Sequence, residues 1–172
     1  MHDGTGATVF VVAKQTFASD FSSGTLLSTY GFYATTNTGA GVTLGRYFGT
    51  TSSEHIGTVF NGTSTAYVTN SLFNSTTGNQ YAVATYNWDT NNATDASKLP
   101  GYLNNGSVDA SQAYNWTTSS TANPTATLQI GCESSSISPF KGEIAEILIY
   151  TSVLNATDRN ANIAYLKNKW GI

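Results

Sequence analysis

A chain of 172 residues, 40% of them hydrophobic, is long enough for one domain with a full core and short for two. Only 10% of its residues are charged and the net charge is −3 with no basic run, which argues against nucleic-acid binding, since that needs clustered Lys and Arg. No apolar stretch nears the ~20 residues of a membrane span, which argues against membrane insertion, and no signal peptide is visible, because Met1 is followed by HDGTG. Thr, Ser, Asn and Gly take the place of the missing charges, which suits strands joined by turns on an extracellular or virion surface. The single cysteine, Cys132, rules out an internal disulfide and reads as a small buried apolar residue rather than a nucleophile.

In chain order the apolar pattern has the period of strands. Thr8 to Ala13 (TVFVVA) is apolar on both faces and predicts a buried strand. Shorter strands are predicted at Ser28 to Thr35, Gly41 to Phe48, Glu54 to Phe60 and Thr65 to Thr69. Tyr81 to Trp88 (YAVATYNW) is the clearest central strand. The segment Thr90 to Lys98 is polar and reads as a surface loop, not a domain boundary. Gly101 to Asp109 contains Asn105-Gly106, a two-residue hairpin signal. Ala126 to Gly131 and Glu143 to Tyr150 complete the strands. Such spacing predicts an all-β antiparallel sandwich or jelly roll. Only the end reads as a helix. Asn155 is the predicted N-cap, with Asp158 placed to reach back. Arg159, Ile163, Leu166 and Trp170 share one face, the three apolar ones are expected to dock on the sandwich, and Gly171 ends the helix.

Five segments carry a family resemblance: HDGTGATVFVVAK (His2 to Lys14), YAVATYNWD (Tyr81 to Asp89), GYLNNGSV (Gly101 to Val108), LQIGCE (Leu128 to Glu133) and FKGEIAEILIY (Phe140 to Tyr150) with its following helix. In this order they resemble the laminin-G-like (LamG-like) jelly-roll domains of the concanavalin A-like lectin/glucanase superfamily. The resemblance covers most of the chain and implies one domain over residues 1–172, a jelly roll with one short C-terminal α-helix. In that family a strand normally precedes the position of Thr8 to Ala13. Either it is lost here or the chain is a fragment of a longer polypeptide with that strand upstream; the second is favoured, because an unpaired sandwich edge is a liability.

Catalytic signals are sparse. Glu143 and Glu146 stand three apart on a strand, so alternation sends them to opposite faces, unsuited to a shared substrate. The resemblance implies a structural Glu146, with Arg159 or Lys167 as expected partners. The histidines are only His2 and His55, and no serine sits in a nucleophile elbow. His55 reads as a half-exposed strand residue. The glycines of Gly39 to Gly45 are one residue off a dinucleotide fingerprint and read as a turn entering a strand.

One Cys and two distant His make a transition-metal site improbable. Calcium is the candidate cofactor, since laminin-G-like domains often carry it, and Asp89, Asn91, Asn92 and Asp95 gather oxygens in one loop. No cofactor is required. Aromatics are the stronger candidates, because sugar rings stack apolar faces on them while amides read hydroxyls. Tyr102, Asn104, Tyr114, Asn115 and Trp116 form the candidate ligand set, whereas Tyr86 reads as core. The resulting expectation is a non-enzymatic binding or adhesion module on a cell or virion surface, with a glycan or surface receptor as partner. Its first rival is a structural component of a phage particle or extracellular filament, with self-association or neighbouring structural proteins as partners. The second is a glycan-cleaving enzyme.

Overall fold

The computed structural model describes residues 6–16, 24–28, 40–47, 54–61, 65–70, 80–88, 101–103, 127–132 and 139–172. Nine strands and one helix lie within them: β1 (Ala7–Gln15), β2 (Gly24–Ser28), β3 (Ala40–Tyr47), β4 (Glu54–Asn61), β5 (Thr65–Asn70), β6 (Tyr81–Trp88), β7 (Gly101–Leu103), β8 (Gln129–Ile130), β9 (Gly142–Tyr150) and α1 (Ala156–Trp170). They form two antiparallel sheets with strand orders β7-β6-β1-β9 and β5-β4-β3-β2-β8.

The double-sided apolar pattern of β1 has a direct cause. It lies between β6 and β9, with Val9 opposite both Tyr86 and Ile149. Its odd-numbered residues Ala7, Val9, Val11 and Ala13 enter the core between the sheets, with Leu26, Leu27, Leu44, Ala82, Ala84 and Tyr86. Its even-numbered residues Phe10 and Val12 face the other way and pack with Val83 under Ile163 and Leu166 of α1. The described residues therefore form three layers, helix on sheet on sheet, and β1 is buried on both faces.

The helix forms where its caps say it should. Asn155 accepts the Asp158 N–H at 2.9 Å, and its amide donates to the Asp158 carboxylate at 2.8 Å. Gly171 turns the chain into the left-handed region at φ 66, and the Ile172 N–H closes on the Lys167 carbonyl at 3.0 Å. Arg159, Ile163 and Leu166 are buried on the predicted face, with Trp170 half-buried beside them.

Two bulges shift the alternation. Thr25 opposes Gly45 and Leu27 opposes Leu44, so Leu26 is the extra residue of β2, and both leucines enter the core. Val12 opposes Glu146 and Ala13 opposes Ile144, so Ala145 is the extra residue of β9. The second predicted strand needs correction: the structure has a strand at Gly24–Ser28, whereas residues 29–35 lie outside the described residues. The bulge at Leu26 breaks the period there, which hides the strand from a pattern search. The Asn105-Gly106 hairpin also lies outside the described residues.

Strand β1 is flanked on both sides, by β6 and β9. Two edge strands of the described sheets, β8 and β9, each carry an exposed apolar residue. Ile130 and Ile149 oppose the buried Leu27 and Val9, yet are 58% and 36% exposed.

Candidate functional site

The candidate ligand residues meet the described fold at β7. Tyr102 is its middle residue and opposes Thr85 of β6, while Gly101 opposes Tyr86. The chain enters β7 from the segment carrying Asp89, Asn91, Asn92 and Asp95 and leaves it into the segment that begins at Asn104. Asn104, Tyr114, Asn115 and Trp116, the four calcium candidates, and the side chain of Tyr102 lie outside the described residues. Tyr86 is core as expected, 4% exposed between the sheets, and burial pushes its phenol well above the ordinary value of 10.0. Among the described residues no three His, Cys, Asp or Glu side chains gather to hold a metal ion, and no helix is long and apolar enough to cross a membrane. Cys132 is half-buried rather than fully enclosed.

The helix side of the first sheet carries a polar cluster that the sequence did not reveal. Tyr81, Lys14 and Glu143 occupy one register row across β6, β1 and β9. Lys14 Nζ lies 2.7 Å from Glu143 Oε1, and the Tyr81 hydroxyl donates to Glu143 Oε2 at 2.6 Å. Nearer the end of the helix, Lys169 Nζ donates to Glu146 at 3.0 Å and the Trp170 indole N–H donates to its other oxygen at 2.7 Å. The Tyr81 and Trp170 rings sit 6.1 Å apart and join the two groups, with Lys14 over Tyr81 and Lys169 over Trp170.

This corrects the opposite-face expectation for the two acids. The bulge at Ala145 resets the alternation, so Glu143 and Glu146 both face the helix side. Lys169 and Trp170, not the expected Arg159 or Lys167, supply the contacts seen at Glu146. Hydrogen bonds from Lys14 and Tyr81 hold the Glu143 carboxyl below the ordinary glutamate value, and those from Trp170 and Lys169 do the same for Glu146. A glycosidase general acid needs the reverse, a raised value that keeps its proton near neutral pH. The chemistry of this pair is that of ionised acceptors: Glu146 fastens the last turn of α1 to the sheet, and Glu143 joins β9 to β1 and β6. Local sequence holds no signal for it, because Lys14 and Glu143 are 129 residues apart.

No protein-family model matches the chain, and no curated protein matches it by sequence. Solved structures do match its fold. The CBM40 of the Ruminococcus gnavus IT-sialidase bound to α2,3-sialyllactose is similar with a TM-score of 0.63 and 16% identity, over 92% of this chain and 83% of that one. The same CBM40 without the sugar gives 0.63 and 17%, over 95% and 84%. Domain 4 of a GH43 extracellular arabinanase from Geobacillus stearothermophilus, in complex with arabinotriose, gives 0.58 and 14%, over 95% and 68%. The chain therefore has the β-sandwich jelly-roll fold found in carbohydrate-binding modules, mostly strands with one short C-terminal helix.

Proposed function

We propose that this chain is a non-enzymatic carbohydrate-binding module of laminin-G-like kinship, displayed on a cell or virion surface. The observation that carries the reading is likeness over at least 92% of the chain to modules solved with sialyllactose and arabinotriose. Helix α1 packs on the outer side of the first sheet, and the segments that lead into and out of β7 carry the candidate glycan contacts. There Tyr102, Tyr114 and Trp116 stack on sugar faces while Asn104 and Asn115 read hydroxyls. The reading requires no cofactor, and Asp89, Asn91, Asn92 and Asp95 are its candidate calcium holders. Neither Glu143 nor Glu146 has the raised carboxyl value of a glycosidase general acid. The test is calorimetric titration with a glycan that the chain retains. Trp116→Ala should weaken binding about tenfold or more, the effect of losing roughly 1.4 kcal/mol of stacking. Unchanged affinity in both Trp116→Ala and Tyr114→Ala would place the ligand elsewhere.

A structural role in a phage particle or filament is the second reading, and the exposed apolar rims at Ile130 of β8 and Ile149 of β9 favour it. Rims of this kind become buried when sandwich edges meet copies or neighbours. Ordered particles or fibres in electron micrographs, together with no glycan retained, would select it.

A further inference from the structure

Three polar side chains lie on the helix side of the first sheet, at the end where α1 begins. Thr8 and Asn87 are register partners across β1 and β6, and Thr85 precedes Asn87 by two residues on the same face of β6. All are enclosed: Thr8 and Thr85 are 0% exposed and Asn87 is 4% exposed. Thr8 Oγ1 accepts the Leu154 N–H at 3.0 Å, which leaves the hydroxyl proton of Thr8 to donate. Thr85 Oγ1 and Asn87 Oδ1 find no hydrogen-bond partner within the protein. Buried oxygens in that condition are strongly unfavourable, and native proteins resolve nearly all of them.

We propose that Thr8, Thr85 and Asn87 bind one internal water molecule. The water accepts the Thr8 O–H and donates to Asn87 Oδ1 and Thr85 Oγ1, about three bonds, as is usual for a buried water. Cross-strand partners on one face have Cβ atoms roughly 5 Å apart, near enough for one water to reach both side chains, and Asn87 Oδ1 takes no direct bond there. The chemistry selects water over ions. An anion would meet a carbonyl oxygen, and a hard divalent cation would find three neutral oxygens with no carboxylate among them. The bridge ties the strap leading into α1, held at Leu154, to the end of β6 from which the chain departs towards Asp89.

Two measurements test this. In water-selective NMR on the intact chain, the methyl groups of Thr8 and Thr85 and the side-chain amide of Asn87 should show cross-peaks to a long-lived water. In thermal denaturation, Thr85→Val keeps the shape and removes the hydroxyl. With the water present the variant should melt about 2–4 °C lower, the shift expected for losing one modest hydrogen bond in a domain of this size. With a merely orphaned hydroxyl it should melt higher. Both results are required. Missing cross-peaks, or a Thr85→Val melting temperature equal to or above the parent's, overturns the proposal.

Discussion

Leu166→Ala should loosen the helix from the sheet. Leu166 is 0% exposed and packs in the cluster of Phe10, Val12, Val83 and Ile163. Truncation removes three carbons, about 2.4 kcal/mol at roughly 0.8 kcal/mol per buried methylene. The cavity left between a rigid sheet and a docked helix raises this towards 3–4 kcal/mol, inside the usual 2–5 kcal/mol for such changes. For a domain of this size the melting temperature should fall by about 6–16 °C. Asn160→Ala, on an exposed position of the same helix, should stay within about 0.5 kcal/mol of the parent. Urea denaturation followed by circular dichroism compares the two. If Leu166→Ala loses less than about 1 kcal/mol, or no more than Asn160→Ala, the three-layer packing is wrong.

Acid should weaken the cross-strand contacts at Glu143 and the attachment of the helix end at Glu146. Glu143 and Glu146 have folded-state values lowered from 4.5, so their stabilisation is present above 4.5 and is lost as pH falls through the lowered values. Melting temperature measured against pH should drop in that window, and the double variant Glu143→Gln, Glu146→Gln should flatten the drop. The alkaline side has the opposite sign. Lys14 and Lys169 are raised from 10.5 by these same glutamates, so their contribution holds below 10.5 and is lost as pH rises through the raised values. Gly24→Ala should destabilise by roughly 1–3 kcal/mol, the range for forced overpacking. Its Cβ would stand 3.2 Å from the backbone Cα of Phe140, which cannot swing away as a side-chain tip does. Thermal denaturation checks it, and a neutral result would mean that the crossing between β2 and the chain entering β9 is looser than described.

Some of this architecture was legible in the sequence for local reasons. β6 was readable to the residue, because Tyr81 to Trp88 is a short apolar and aromatic run without Gly or Pro. Helix α1 was readable because its caps, Asn155 and Gly171, are local and its buried face repeats at helical spacing. The burial of β1 on both faces followed from its apolar pattern, though the partner on each face did not. What failed did so at bulges. One extra residue at Leu26 hid β2, and one at Ala145 turned Glu143 and Glu146 onto a shared face against simple alternation. The Lys14–Glu143–Tyr81 row was illegible because it joins three strands distant in the chain. Tyr102 was placed on a strand of the hairpin signal, and β7 puts it beside Thr85. The remaining ligand candidates lie outside the described residues.

The central claim is that this sandwich holds a carbohydrate and leaves it intact. A glycan array probed with the folded chain tests it most directly, with mass spectrometry of the retained sugar read from the same spots. Saturable capture of at least one glycan, recovered with unaltered mass, is the predicted outcome. An array without a single retained glycan while the chain remains folded, or a captured glycan released in fragments, would contradict it.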